Sequence, residues 1–262
     1  MRRPVLHFSH ANGFPAPVYR SMLGLLECEF RISTIAPLGM DRRHPVSEGW
    51  PHLARQVIAS IEQSRAQPVI GVGHSLGGYL TFMAAAERPD LFRAIVLLDA
   101  PVIGAIKGRL LGATKRFGIV DRVTPAGATR ERRAEWPNLA EAERHFRAKK
   151  LFRDFAPEAL RDYVRYGLSD DGQRLRLMID PAIAYQSYRT VPHDLHRLLP
   201  KLQVPAGFIG GADSDVVRRV GLSTMRRAGF AFRRVPGGHL FPLEHPQAAA
   251  DAILEMTARL AA

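Results

Sequence analysis

The stretch Gly73-His74-Ser75-Leu76-Gly77 holds a hydroxyl between two glycines, with a short apolar run, Val69 to Val72, before it and a helix-like segment, Leu76 to Glu87, behind it. An alcohol is a weak nucleophile until a turn exposes it and a base stands beside it. A sharp strand-to-helix turn crowds its neighbours, so only small residues fit two positions to either side of Ser75, and Gly73 and Gly77 meet that need. The same turn aims the first helical amides at one point, where Leu76 N–H could hold a developing oxyanion. A phosphate-binding turn is the competing reading. It fails because Gly71 and Gly73 are followed by Leu76 where a dinucleotide fingerprint needs its third glycine.

A serine so placed needs a base and a group to orient that base. Near the end of the chain, Val235-Pro-Gly-Gly-His239 puts two glycines before a histidine, freeing the backbone to turn the imidazole over a strand end. Asp213 and Asp215, in Gly210-Gly-Ala-Asp-Ser-Asp215, are the candidates for the orienting carboxylate, the other being a helix cap. Near the start, His7-Phe-Ser-His-Ala-Asn-Gly13 places Asn12 N–H to complete an oxyanion hole with Leu76 N–H. His10 and His74 flank these groups without evident proton work and read as packed side chains with satisfied nitrogens. His245, before Pro246, reads as a helix-entry residue.

Elements that could position these groups alternate along the chain. Strand-like runs occur at Pro4–Ser9, Phe30–Ala36, Pro68–Val72, Ala94–Leu98, Val204–Ile209 and Phe230–Val235, with helix patterns at Tyr19–Glu27, Gly49–Ser64, Leu76–Glu87 and Pro246–Leu260. Such β-α alternation predicts an α/β fold with six parallel strands covered on both faces, and reactive groups at their carboxyl ends. From about residue 101 to 199 the alternation stops, without a clear strand. That length is too great for a plain loop, so 1–100 and 200–262 are expected to form the core and 101–199 a helical cap over the strand ends. Trp136, Phe146, Phe152, Phe155, Tyr163, Tyr166, Tyr185 and Tyr188 could wall a substrate site, although most are more simply the cap's own core.

The order Ser75, aspartate, His239 resembles the α/β-hydrolase superfamily over nearly the whole chain. The likeness is greatest to its capped, bacterial esterase-like branch, with a His-Gly-Asn-Gly-Phe-Pro element, a Gly-His-Ser-x-Gly-Gly elbow, a Gly-x-x-Ser-Asp turn and a Gly-His-Leu-Phe-Pro-Leu-Glu ending. Matching that turn to Gly211-Ala-Asp-Ser-Asp215 favours Asp215 as the acid, with Asp213 the alternative. Asp99, where some relatives carry the acid, ranks third, as a strand-end carboxylate bonded to nearby amides. Ala11 stands where the family has glycine, and the chain begins at what the family would count as its third strand. The resemblance implies a serine hydrolase that forms an acyl-enzyme on small esters or lactones. A C–C bond hydrolase, thioesterase, acyltransferase or perhydrolase with the same triad, or a non-catalytic binder, are the alternatives.

The chain has 262 residues, 46% of them hydrophobic, enough for a sizeable core. No run approaches a membrane span, and the start lacks the apolar stretch of a signal peptide, so a cytoplasmic protein is expected. Cys28, the sole cysteine, excludes an internal disulfide and reads as a small buried thiol. The net charge is +12, yet only Lys107, Lys115, Lys149, Lys150 and Lys201 among the 37 basic residues are lysines. The rest are arginines scattered along the chain and interleaved with acids at helical spacing, a solvated surface rather than a nucleic-acid footprint. The cap's arginines leave room for an anionic acyl group, with no residue singled out. A small-molecule substrate is the expected partner, with no nucleic acid, membrane, metal or cofactor, in a monomer or homodimer.

Overall fold

The central strands read as nearly unbroken apolar runs because they are buried on both faces. In a computed structural model, which describes residues 3–64 and 68–261, the first is β1 (Val5–Ser9), with every residue buried. Met1, Arg2 and Ala262, the ends of the expected core ranges, lie outside the described residues. After β1 come α1 (Arg20–Leu26), β2 (Arg31–Thr34), α2 (Pro51–Gln63), β3 (Val69–His74), α3 (Leu76–Glu87) and β4 (Phe92–Leu98). The alternation resumes at β8 (Ala206–Gly211), followed by α10 (Asp215–Val220), α11 (Ser223–Arg227), β9 (Ala231–Val235), α12 (Phe241–Glu244) and α13 (Pro246–Ala261). The six strands form one sheet in the order β2-β1-β3-β4-β8-β9, and every neighbouring pair is parallel. The edge strands β2 and β9 are mostly half-buried or exposed, Val235 alone among their residues being buried.

Alternate side chains supply two cores. Leu6, Phe8, Val72, Val96, Leu98 and Ile209 face α1 and α13, meeting Met22, Leu26 and Ile253. Val5, Val69, Ile95, Leu97 and Phe208 face the other way, towards Leu53, Val57 and Ile61 of α2 and Leu80 of α3. Each fully buried side chain of this size stabilises the fold by about 1.5–3 kcal/mol relative to exposure.

Between β4 and β8 lie α4 (Ala105–Arg116), α5 (Val120–Val123), α6 (Ala126–Arg130), β5 (Glu135–Trp136), α7 (Leu139–Arg147), α8 (Pro157–Tyr166), β6 (Leu168–Asp170), β7 (Leu175–Leu177) and α9 (Pro181–Arg189). The expectation of no strand here is corrected by a small antiparallel sheet of order β5-β7-β6. Its strands are two or three residues long, too short for a period to show. Trp136, Phe146, Phe152, Phe155 and Tyr163 are buried together, and Phe14, from the loop after β1, packs among them at 5.3 Å from Tyr163 and 6.2 Å from Phe155. These rings fasten the inserted segment to the core rather than wall a site. Cys28 is a second correction: it lies exposed just beyond α1, with Sγ–H donating to Leu25 O at 3.3 Å. Among the described residues no helix is long and apolar enough to cross a membrane.

Candidate active site

Sheet register decides which side chains can meet. His74 of β3 stands opposite Leu98 of β4, so the next residues, Ser75 and Asp99, leave adjacent strands at the same level. Ser75 has φ 52° and ψ −117°, a strained conformation for a residue with a Cβ, costing about 1–3 kcal/mol. Its N–H is anchored on Leu98 O at 2.9 Å. A Cβ on Gly77 would lie 2.1 Å from Ser9 O, and one on Gly73 would lie 2.3 Å from Gly77 O, because α3 begins against the ends of β1 and β3. The two glycines are therefore required by backbone contact.

The imidazole comes from the loop after β9. His239 Nε2 lies 2.9 Å from Ser75 Oγ, and His239 Nδ1 lies 2.6 Å from Asp99 Oδ2. The orienting carboxylate is thus Asp99, and both Asp215 and Asp213 are corrected. Asp215 is the first residue of α10, and its carboxylate turns outward to Arg218 Nη2 at 2.5 Å, which holds it below the usual carboxylate range. Asp213 is also exposed, and its N–H donates to Gly237 O at 2.9 Å. The residue between them, Ser214, points inward. Its hydroxyl donates to Asp99 Oδ2 at 2.5 Å and accepts from Val217 N–H at 3.2 Å, so one side chain caps α10 and supports the carboxylate. Gly211 N–H donates to Asp99 Oδ1 at 3.0 Å. Asp99 is fully buried, and such a carboxylate is tolerable only with donors of this kind.

Sequence reasoning missed the device that sets the His239 backbone. Tyr19 O–H donates to His74 Nδ1 at 2.7 Å, and His74 Nε2–H donates to His239 O at 2.8 Å. Burial, with the His239 charge second, lowers the His74 pKa to about 3, so this ring is neutral and its tautomer is fixed by the acceptor carbonyl. Ala11 N–H also approaches the Tyr19 hydroxyl oxygen at 3.4 Å, linking the loop after β1 to the His239 loop. From the other side, Glu244 Oε2 accepts Gly238 N–H at 2.6 Å, and partial burial raises the Glu244 pKa. His10 is satisfied as expected, bonded to Ala11 O at 2.9 Å and accepting Leu38 N–H at 3.1 Å. His245 ends α12, directly before α13.

Leu76 is the first residue of α3, so its N–H has no intrahelical acceptor. Asn12 N–H likewise donates to no protein group among the described residues, while the Asn12 side chain donates to Ala184 O of α9 at 2.9 Å. The arrangement can therefore pass a proton from Ser75 to His239 against a fixed carboxylate, with free amides nearby for an oxyanion. No cluster of three metal-ligating side chains occurs among the described residues.

A parallel sheet with a strained serine turn after β3 and a histidine loop after β9 is the architecture of an α/β-hydrolase. The chain belongs to the alpha/beta hydrolase family, whose model matches residues 6–252. It is 26% identical over 229 residues to the abhydrolase domain-containing protein AFT2-1 of Alternaria alternata, covering 72% of this chain and 82% of that one. It is 25% identical over 265 residues to a putative non-heme haloperoxidase of Mycobacterium phage D29, covering 95% and 85%. Among solved structures, E-2-(acetamidomethylene)succinate hydrolase superposes with a TM-score of 0.77 at 22% identity, covering 98% of this chain and 92% of that one. At that identity the likeness is one of fold.

Proposed function

We propose that this protein is a serine hydrolase acting on small carboxylic esters through an acyl-enzyme. The observation that carries the reading is the unbroken path Ser75 Oγ, His239 Nε2, His239 Nδ1, Asp99 Oδ2, with separations of 2.9 and 2.6 Å. His239 takes the Ser75 proton as Oγ attacks the ester carbonyl, and Asp99 stabilises the imidazolium. The oxyanion is received by Leu76 and Asn12 N–H. As the tetrahedral intermediate collapses, His239 returns the proton to the departing alcohol. Water then attacks the acyl-serine, giving its proton to His239, and the acid leaves as Ser75 is restored.

The segment 101–199 serves as the cap. Asn12 holds α9 through Ala184 O, and Trp50 Nε1–H donates to Ser187 O at 3.0 Å, so cap and core meet beside the reacting groups. Turnover of a short phenyl ester by the native protein and by Ser75→Ala tests the reading. The variant should lose at least about 10³-fold in kcat/KM. Equal slow rates in the two would leave a binding protein of the same fold.

A further inference from the structure

Between α6 and β5 the inserted segment sends one guanidinium onto the loop that carries Asn12. Arg132 Nη2–H donates to Tyr163 OH, and Arg132 Cζ lies 6.0 Å from that ring's centre. Tyr163 OH lies 3.5 Å from Gly13 O, and a Cβ built on Gly13 would come within 3.4 Å of Arg132 Nη1. Gly13 follows Asn12 directly, and successive Cα atoms are about 3.8 Å apart. The positive charge is thus one residue beyond the amide assigned to the oxyanion.

The surroundings offer this charge no counter-ion. Arg133 pairs with Glu141, Arg174 and Arg176 pair with Glu135, and Arg189 pairs with Asp121, but Arg132 has no carboxylate at salt-bridge distance among the described residues. It is half-buried and meets neutral phenols. Tyr188 of α9 completes the surroundings. Burial raises its pKa, and the Arg132 charge and a hydrogen bond with the Asn12 side chain oppose that rise. Tyr188 nonetheless keeps part of its surface accessible, as do Gly13, Ser75 and His239. A guanidinium drawn partly out of water is not compensated by phenols, and its planar fork matches a carboxylate.

We propose that Arg132 receives the carboxylate of the acyl group, so that the Ser75 site takes half-esters of short dicarboxylic acids. The inference rests on the hydrolase reading for its chemistry and on Arg132 alone for its selectivity. The test compares phenyl half-esters of butane-, pentane- and hexanedioic acid with phenyl esters of the chain-matched monocarboxylic acids, following phenol release. The native protein should prefer the charged member of at least one pair by about 10–100-fold in kcat/KM. Arg132→Gln should bring that ratio close to one, Arg132→Lys should keep part of it, and Arg133→Gln should leave it unchanged. A merely structural Arg132 would slow both esters and leave their ratio alone.

Glutarate binding to Ser75→Ala, measured by calorimetry, supplies a readout without turnover. It should weaken at least about tenfold when Arg132→Gln is added. Ester turnover that depends on Ser75 but shows no charge preference, or a preference indifferent to Arg132→Gln, overturns the anion site and leaves the hydrolase standing. No turnover of either ester overturns the hydrolase, and the glutarate titration then decides the anion site by itself.

Discussion

Asp99 is shut off from water and receives three donors, from Gly211, Ser214 and His239. An asparagine there keeps the shape but surrenders the charge and favours the wrong imidazole tautomer. Asp99→Asn should therefore lower kcat for a phenyl ester by about 10³–10⁴-fold, while Asp213→Asn and Asp215→Asn stay within about twofold. Collapse in Asp215→Asn with normal rates in Asp99→Asn would overturn the assignment. Ser214→Ala removes one donor and should cost about 1–3 kcal/mol in urea unfolding. Ser75 and His239 were legible in the sequence because glycines flank the first and precede the second, and glycines at such spacing mark turns that need room. The acid was not legible. Its selection depends on His74 standing opposite Leu98, and on which residue of Asp213-Ser214-Asp215 faces inward once α10 begins, and neither register nor helix phase is written in the local residue types. The nearest signal was a lone aspartate closing the apolar run Ala94–Leu98.

At the scale of elements, the site depends on α3 starting in contact with the backbone of β1. Gly77 sits where a methyl group would lie 2.1 Å from Ser9 O and 2.6 Å from His10 O, both backbone atoms that flexible side chains cannot yield for. Gly77→Ala should destabilise the fold by about 3 kcal/mol or more and misplace Ser75. Urea unfolding reads the first effect and turnover of the residual folded protein the second. An alanine variant as stable and active as the native protein would mean that the contact relaxes freely. The six parallel strands were readable because double-sided burial makes each central strand a continuous apolar run, and their bounds fall within a few residues of the expected ones. The small sheet β5-β7-β6 was not. Its β6–β7 hairpin is held by local bonds, Asp171 Oδ1 to Gln173 and Arg174 N–H at 3.0 and 2.8 Å, and β5 is tied to the central β7 by Glu135 with Arg174 and Arg176, interactions that leave no hydrophobic period. The helix α11, of five residues, was missed for the same reason of length, whereas the start of α10 was signalled by the capping residues before it.

For the whole molecule, β1, the loop after it and β3 hold three buried histidines, and this fixes how the fold meets acid. Burial lowers the pKa of His7 and His10 to about 4 and that of His74 to about 3, from an ordinary value of 6.5. The native values lie below the unfolded one, so as pH falls through 6.5 the unfolded chain takes up protons that the folded chain refuses. The stability these rings leave intact above pH 6.5 is lost progressively between about 6.5 and 4, at up to about 1.4 kcal/mol per pH unit for each ring. Three rings together approach roughly 4 kcal/mol per unit near pH 5, a large share of the 5–15 kcal/mol typical of a domain. A surplus of positive charge at neutral pH pushes in the same direction as more protons bind. The urea midpoint should be nearly flat from pH 8 to 7, fall steeply below 6.5, and leave little folded protein by pH 5. His7 gives the cleanest check, since among the described residues its Nε2 bonds only Ser60 Oγ, at 3.0 Å, and its Nδ1 has no partner. His7→Leu should remove about one proton from the uptake on unfolding and flatten the slope near pH 5 by roughly a third. A native midpoint unchanged from pH 7 to 5 would show that these rings accept protons in place, and the wild-type slope retained in His7→Leu would show that the uptake belongs to other groups.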